Sequence, residues 1–268
     1  MHCTITWHGA GLTNAGQVRP SNQDAYAIED DLQLWIVADG MGGHPGGDVA
    51  SRSAVEALTA SIRAEARLKA QPELGANEPA QRETELRRAI AASNHAIRQL
   101  ALQRSELTGM GTTVVALRIA GDPIAHATVA HVGDSRAYLL RGRTLTAVTK
   151  DHSLVEDYVR VGLLSPEEAL VHPLRHVLTR ALGTDPQVEA DICTFVLEPS
   201  DRFLLCSDGL TKMLDDAHIV EILLRADRSR EPACRALIRA ANDRGGIDNT
   251  TVVVVTPGAP TSEPAVRS

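Results

Sequence analysis

Thr112-Thr113-Val114-Val115-Ala116-Leu117-Arg118-Ile119, then a turn at Gly121-Asp122 and Ile124-Ala125-His126-Ala127-Thr128-Val129-Ala130-His131-Val132, is the stretch that decides the fold. These residues run at strand length between short turn formers, and a third such run, 136–140, ends at Arg141-Gly142-Arg143. The pattern predicts an antiparallel meander. Working outward, strands are expected at 202–206 and 250–255, and at Leu34-Trp35-Ile36-Val37-Ala38, an apolar run ending at Asp39-Gly40 before a glycine-rich loop. Ala50, Ala54, Leu58 and Ile62 recur every four residues along 48–67, and Leu86, Ile90, Ile97 and Leu100 mark a second apolar helical face. The polar stretch 71–79 between them, with two prolines and a glycine, reads as a loop. Residues 151–182 read as helical and loop-like, with a helix starting at Ser165-Pro166-Glu167-Glu168, and further helices lie near 216–224 and 232–242. Helices and hairpins in blocks, without βα alternation, predict an α+β layered sandwich rather than a doubly wound sheet.

Composition narrows the function. The 268 residues are 43% hydrophobic but only 3% aromatic, so Val, Leu, Ile and Ala must build the core. A formal charge of -7 and a pI near 5.8, with no basic stripe, argue against nucleic acid as the main partner. Such a surplus suits either a solvated surface or a site that collects divalent cations. Cys3, Cys193, Cys206 and Cys234 are scattered without a C-x-x-C spacing, which points to reduced thiols in a cytoplasmic protein. The first residues lack the basic flank and apolar core of a signal peptide, and no apolar run approaches the ~18 residues of a membrane span. The expectation is a soluble chain with one domain over 1–256 and a Pro-rich, disordered tail over 257–268.

Four aspartates stand beside strand runs and next to turn formers: Asp39 before Gly40, Asp134 after Gly133, Asp208 before Gly209 and Asp248 before Asn249. Singly, each reads as a hairpin corner. Together they imply more, because sheets gather strand ends at a common rim and carboxylates crowded there repel unless cations neutralise them. Oxygen donors without Cys or convergent His select hard ions, Mg²⁺ or Mn²⁺. Competing patterns are weaker. His126 and His131, five apart on one strand, face opposite sides of the sheet. His172 and His176 have helical spacing, but Pro173 intervenes and no third ligand is evident. The glycines of 40–46 lack G-x-G-x-x-G spacing, and Ser135 and Ser207 lie outside G-x-S-x-G.

Six motifs in order make the sequence recognisable: Arg19-Pro20-Ser21-Asn22-Gln23-Asp24-Ala25, Asp39-Gly40-Met41-Gly42-Gly43-His44, Gly109-Met110-Gly111-Thr112-Thr113, His131-Val132-Gly133-Asp134-Ser135-Arg136, Leu205-Cys206-Ser207-Asp208-Gly209-Leu210 and Asp248-Asn249-Thr250-Thr251. Over about residues 10–256 the chain resembles the bacterial type-2C (PPM family) metal-dependent serine/threonine protein phosphatases. The resemblance implies a four-layer αββα sandwich, two antiparallel sheets flanked by helix pairs, with a metal cleft at one end. It implies that Asp39 bridges two Mn²⁺ or Mg²⁺ ions, the Gly40 carbonyl holding one and Asp208 and Asp248 the other, with a third, weaker ion at Asp134 and Asp208. Arg19 matches the arginine that clamps the substrate phosphate, His44 the general acid, and residues of about 153–177 the flap beside the cleft. Gln23 stands where many members have a Glu that reaches metal-bound waters; it is grouped with Asp24 and Asn249 behind the ligands.

The same resemblance implies hydrolysis of phosphoserine and phosphothreonine in proteins by a metal-activated water, opposing a bacterial Ser/Thr kinase. Phosphorylated proteins, the kinase and its targets would be partners of a monomer that binds no membrane or nucleic acid, with a link to type VI secretion. The alternatives are a catalytically silent phosphoprotein-binding module on this fold and a phosphatase acting on an anti-sigma-antagonist protein. Phosphate monoester hydrolysis calls for acceleration of up to ~10²¹. A general acid contributes ~10²–10⁴, so most must come from electrostatics and positioning.

Overall fold

The computed structural model describes residues 5–41, 46–69, 79–121 and 124–258. Cys3, His44 with the rest of its loop, residues 71–78 of the expected polar loop, and the tail from 259 lie outside them. The strands in chain order are β1 (Trp7–Asn14), β2 (Asp24–Glu29), β3 (Leu34–Met41), β4 (Gly111–Thr112), β5 (Val114–Ala120), β6 (His126–Val132), β7 (Arg136–Arg141), β8 (Thr144–Ala147), β9 (Asp191–Val196), β10 (Arg202–Cys206) and β11 (Thr250–Pro257). The helices are α1 (Gly47–Lys69), α2 (Pro79–Gln103), α3 (Leu154–Arg160), α4 (Pro166–Val171), α5 (Asp208–Thr211), α6 (Asp216–Arg225) and α7 (Arg230–Asp243).

Two antiparallel sheets result, ordered β1-β11-β10-β7-β8 and β2-β3-β5-β6-β9, with β4 pairing the end of β3. The period of two assigns the faces. Along β3, Leu34, Ile36 and Ala38 meet Ala50, Ala54, Leu58 and Ile62 of α1 and Leu86, Ile90 and Ile97 of α2. Trp35 and Val37 point the other way, into a layer shared with Trp7, Phe203, Leu205, Val253 and Val255 of the second sheet. A strand buried on both faces has no polar alternation, which is why 34–38 reads as an unbroken apolar run. Leu237, Ile238 and Ala241 of α7, with Ile219 and Leu223 of α6, cover the outer face of the second sheet. The expected α+β sandwich, two antiparallel sheets flanked by helices, is therefore the fold.

The third run of the expected meander belongs elsewhere. β5 and β6 pair from Val114↔Val132 to Ala120↔His126, but β7 pairs with β10 and β8 in the opposite sheet. Gly133, at φ 101, turns the chain out of β6. Its N–H donates to His152 Nδ1 at 3.1 Å and its carbonyl accepts from the His152 N–H at 3.0 Å, so the hairpin pairing is replaced. Asp134 consequently rides a crossing between sheets. β3 also runs past Asp39-Gly40 to Met41, so Asp39 is a strand residue rather than a corner. The helix at Ser165-Pro166 forms as expected, with a full capping box between Ser165 and Glu168. His172 follows the end of α4, so His172 and His176 do not share a helical face.

Candidate active site and metal centre

The site begins with an unfavourable pairing. β2 and β3 place Asp24 directly opposite Asp39, two carboxylates across one ladder. Both residues are fixed by neutral groups. Asp24 Oδ2 accepts from Ser207 Oγ and Thr251 Oγ1, each at 2.7 Å. The Asp39 N–H donates to Thr113 Oγ1 at 3.0 Å, and its carbonyl accepts from Thr113 N at 2.9 Å and Thr112 Oγ1 at 2.8 Å. Thr113 Oγ1 also lies 2.6 Å from Ser135 Oγ, tying Asp39 to the turn that carries Asp134. Gly40 donates its N–H to the Gln23 carbonyl at 3.1 Å.

Asp208 opens α5 at the end of β10, and Asp248 precedes β11. Asp39, Gly40, Asp134, Asp208 and Asp248 line one cleft of about 790 Å³ with Arg19, Gln23, Thr113, Lys212 and Asn249, and with His176 and Leu178 from the flap side. Four separate chain segments thus deliver the four expected aspartates to one place. Arg19 is forked on Asp248, Nε to Oδ1 at 2.9 Å and Nη2 to Oδ2 at 3.0 Å. Asn249 holds the loop that carries Arg19: Nδ2 donates to the carbonyls of Ala15 and Ser21 at 2.9 Å, and Oδ1 accepts from Gln23 N at 2.9 Å. The Gln23 side chain lies beside Gly47 at the start of α1. The flap's ends are joined, Leu154 N to Val177 O and Thr179 N to His152 O, both at 2.9 Å.

Electrostatics set the site's needs. Burial, then Asp24, Asp208, Asp134 and Asp248, push the Asp39 carboxyl well above the usual range. Burial, then Asp208 and Asp151, raise Asp134 to about 7, while burial and Asp208 raise Asp24 to about 6. Burial works the same way on Asp248, but Lys212 and Arg19 outweigh it and hold that carboxyl below its ordinary value. Among the described residues, the buried atoms Asp24 Oδ1 and Asp208 Oδ1 have no hydrogen-bond partner. Orphaned carboxylate oxygens in an all-oxygen cluster fit hard divalent ions.

A second group needs a correction to the view that histidines do not converge. Ligand atoms of His131, His152 and Asp191 lie within 4.8 Å of one another. Their geometry is that of a brace. The two rings stack at 4.5 Å between centroids and 16° between planes. His131 Nε2 is 2.7 Å from the Lys150 carbonyl, His152 Nδ1 takes the Gly133 N–H, and Arg180 Nη1 contacts Asp191 Oδ1 at 2.6 Å. Arg136 on the other side of Asp134 is forked on Asp151 at 2.8 and 2.7 Å. The segment 150–152 therefore grips the Asp134 turn from both ends. Thr113, Ser207, Thr251 and Lys212 carry no role in the sequence reading, although each lies in or beside one of the six motifs.

The double antiparallel sheet with flanking helices and an acidic cleft agrees with the sequence comparisons, which show that the chain belongs to the protein phosphatase 2C family. The family model described as "Protein phosphatase 2C" matches residues 14–245. The enzyme class is that of the family, a protein serine/threonine phosphatase. The chain is 39% identical over 251 residues to the serine/threonine phosphatase stp of Listeria welshimeri, covering 92% of this chain and 95% of that one. It is similar to the catalytic domain of the serine/threonine protein phosphatase PstP, solved in complex with two manganese ions (TM-score 0.79, 34% identity, 96% of this chain and 100% of that one). It is also similar to PppA, a key regulatory component of the type VI secretion system in Pseudomonas aeruginosa (TM-score 0.77, 33% identity, 94% and 98% covered). No helix among the described residues is long and apolar enough to cross a membrane.

Proposed function

We propose that the chain hydrolyses phosphoserine and phosphothreonine in proteins with a metal-activated water, opposing a bacterial Ser/Thr kinase in the cytoplasm. The observation that carries this is the convergence of Asp39, Asp134, Asp208 and Asp248 on one cleft, with Asp24 Oδ1 and Asp208 Oδ1 unpartnered among the described residues. Asp39, the Gly40 carbonyl, Asp208 and Asp248 would hold two Mn²⁺ or Mg²⁺ ions, and Asp134 with Asp208 a third, weaker one. Bound there, such ions supply a water of lowered pKa and positive charge opposite the phosphate oxygens. The similarity to PstP bound to two manganese ions supports a centre of two such ions, and that to PppA supports a role beside type VI secretion.

The chain's own groups would do the rest. Arg19 carries a fork that suits two oxygens of a phosphate as well as the carboxylate it holds. His44 would protonate the departing Ser or Thr oxygen, and Thr112 and Thr113 keep Asp39 from moving as charge develops. Phosphoserine and phosphothreonine peptides should release phosphate with Mn²⁺ and not with chelator; equal turnover in chelator contradicts the reading. In the same series, His44→Ala should lose ~10²–10⁴ on peptides and much less on p-nitrophenyl phosphate. An equal loss on both removes His44 as the acid.

Proton linkage gives a readout independent of turnover. Asp24 and Asp134 have pKa values of about 6 and 7, above the ordinary carboxyl value. In chelator, their contribution to stability is present at low pH and lost as pH rises through about 4 to 7, because in that window the folded state holds protons that the unfolded state has already released. Mn²⁺ should release more protons on binding at pH 6 than at pH 8.5, measured by calorimetry in two buffers of different ionisation enthalpy. Equal release at both values contradicts the assignment.

A further inference from the structure

Lys212 caps the C-terminal end of α5, four residues beyond Asp208. Its ammonium contacts Asp208 Oδ2 and lies 2.9 Å from Asp248 Oδ2. Arg19 Nη2 reaches that same Asp248 oxygen at 3.0 Å from near the other end of the chain. Two cations from distant segments thus converge on one oxyanion. Lys212 is only 22% exposed and lines both the main cleft and an adjoining cavity of about 590 Å³ that shares Asp134, His176 and Asp208. A lysine usually keeps its ammonium in water, so a lysine drawn into a cleft wall owes its place to charged partners.

We propose that Lys212 is a second cationic contact for the substrate phosphate, paired with Arg19. The proposal rests on the reading that Asp208 and Asp248 hold a divalent ion. An ammonium and a divalent ion cannot both occupy the same pair of carboxylate oxygens at bonding distance. Once an ion takes Asp208 and Asp248, Lys212 and Arg19 lose their shared anion together and are left facing the cleft. Counted over the cleft lining and the two core ions alone, the charges favour a doubly negative replacement: the four aspartates are half offset by Arg19 and Lys212, two divalent ions overshoot, and a phosphate monoester dianion restores neutrality. A guanidinium fork beside an ammonium also matches the geometry of phosphate oxygens.

The test is calorimetric binding of inorganic phosphate to Mn²⁺-loaded wild type, Lys212→Met and Lys212→Arg, with Mn²⁺ titrations of each chelator-stripped protein alongside. Lys212→Met should bind Mn²⁺ as tightly as wild type or more so, and phosphate roughly tenfold more weakly, the scale of one charged hydrogen bond. Lys212→Arg should recover part of the loss. With phosphopeptide, Lys212→Met should lower kcat/KM by about the same factor, and Lys212→Arg should restore part of it. Phosphate affinity within twofold of wild type, with Mn²⁺ binding intact, overturns the proposal. Weaker Mn²⁺ binding in Lys212→Met also overturns it, since Lys212 would then only brace the carboxylates. A wild-type protein that binds no Mn²⁺ removes the underlying metal reading as well.

Discussion

Asp208→Asn is expected to abolish Mn²⁺-dependent hydrolysis of p-nitrophenyl phosphate, by a factor on the order of 10³ or more, while far-UV circular dichroism remains that of wild type. The substitution keeps the shape of the side chain and removes its charge. Asp208 Oδ1 is buried without a partner among the described residues, so no hydrogen bond of the fold is lost there. Its other oxygen contacts Lys212, which keeps Asp248 as a partner. The apolar contacts of Leu210 and Leu214 around α5 are untouched. Folding should therefore survive a change that removes a carboxylate proposed to hold the metal. Activity within tenfold of wild type would contradict the assignment of Asp208.

Gly40→Ala should disable the enzyme by a different route. A Cβ at Gly40 would collide with the Gly47 carbonyl oxygen and stand 2.6 Å from the Gln23 carbonyl, both backbone atoms that cannot rotate away. Either β3 shifts, carrying Asp39, or the start of α1 and the residue preceding Asp24 give way. Overpacking of this kind costs about 1–3 kcal/mol, which in a domain of this size lowers Tm by roughly 3–10 °C. A displacement near 1 Å of a reacting group can cost ~10² in rate. Differential scanning fluorimetry and the phosphopeptide assay should thus show a modest loss of stability with a much larger loss of activity. Wild-type turnover in Gly40→Ala would show that the Asp39 backbone need not be fixed.

The doubly buried strands were the legible part of the fold, because burial on both faces leaves an uninterrupted apolar run. β1 was hidden by glycines: Gly9 and Gly11 lie under the rings of Trp35 and Tyr26, a packing choice that reads in sequence as a break. β2, β8 and β9 have mostly half-buried or exposed residues and lack a clean alternation. The sheet-to-sheet crossing at Gly133-Asp134-Ser135 uses the same residues as a hairpin turn, and the hydrogen bonds between Gly133 and His152 and the pairing of β7 with β10 tell them apart.

At the site, the aspartates were legible as motifs, since each sits beside a turn former at a strand end. Their supports were not, because support is a matter of partners remote in sequence: Ser207 and Thr251 on Asp24, Thr113 on Asp39, and the stacked His131 and His152 behind Asp134. Lys212 carried a faint signal, being one helical turn from Asp208. Its approach to Asp248 required the fold.

The central claim is that the aspartate cluster is a divalent-metal centre. Titration of Mn²⁺ into chelator-stripped wild type and Asp208→Asn, read by isothermal calorimetry, tests it most directly. The account predicts at least two ions bound by wild type at saturation, with the affinity of at least one collapsing in Asp208→Asn. Equal Mn²⁺ stoichiometry and affinity in the two proteins would contradict it.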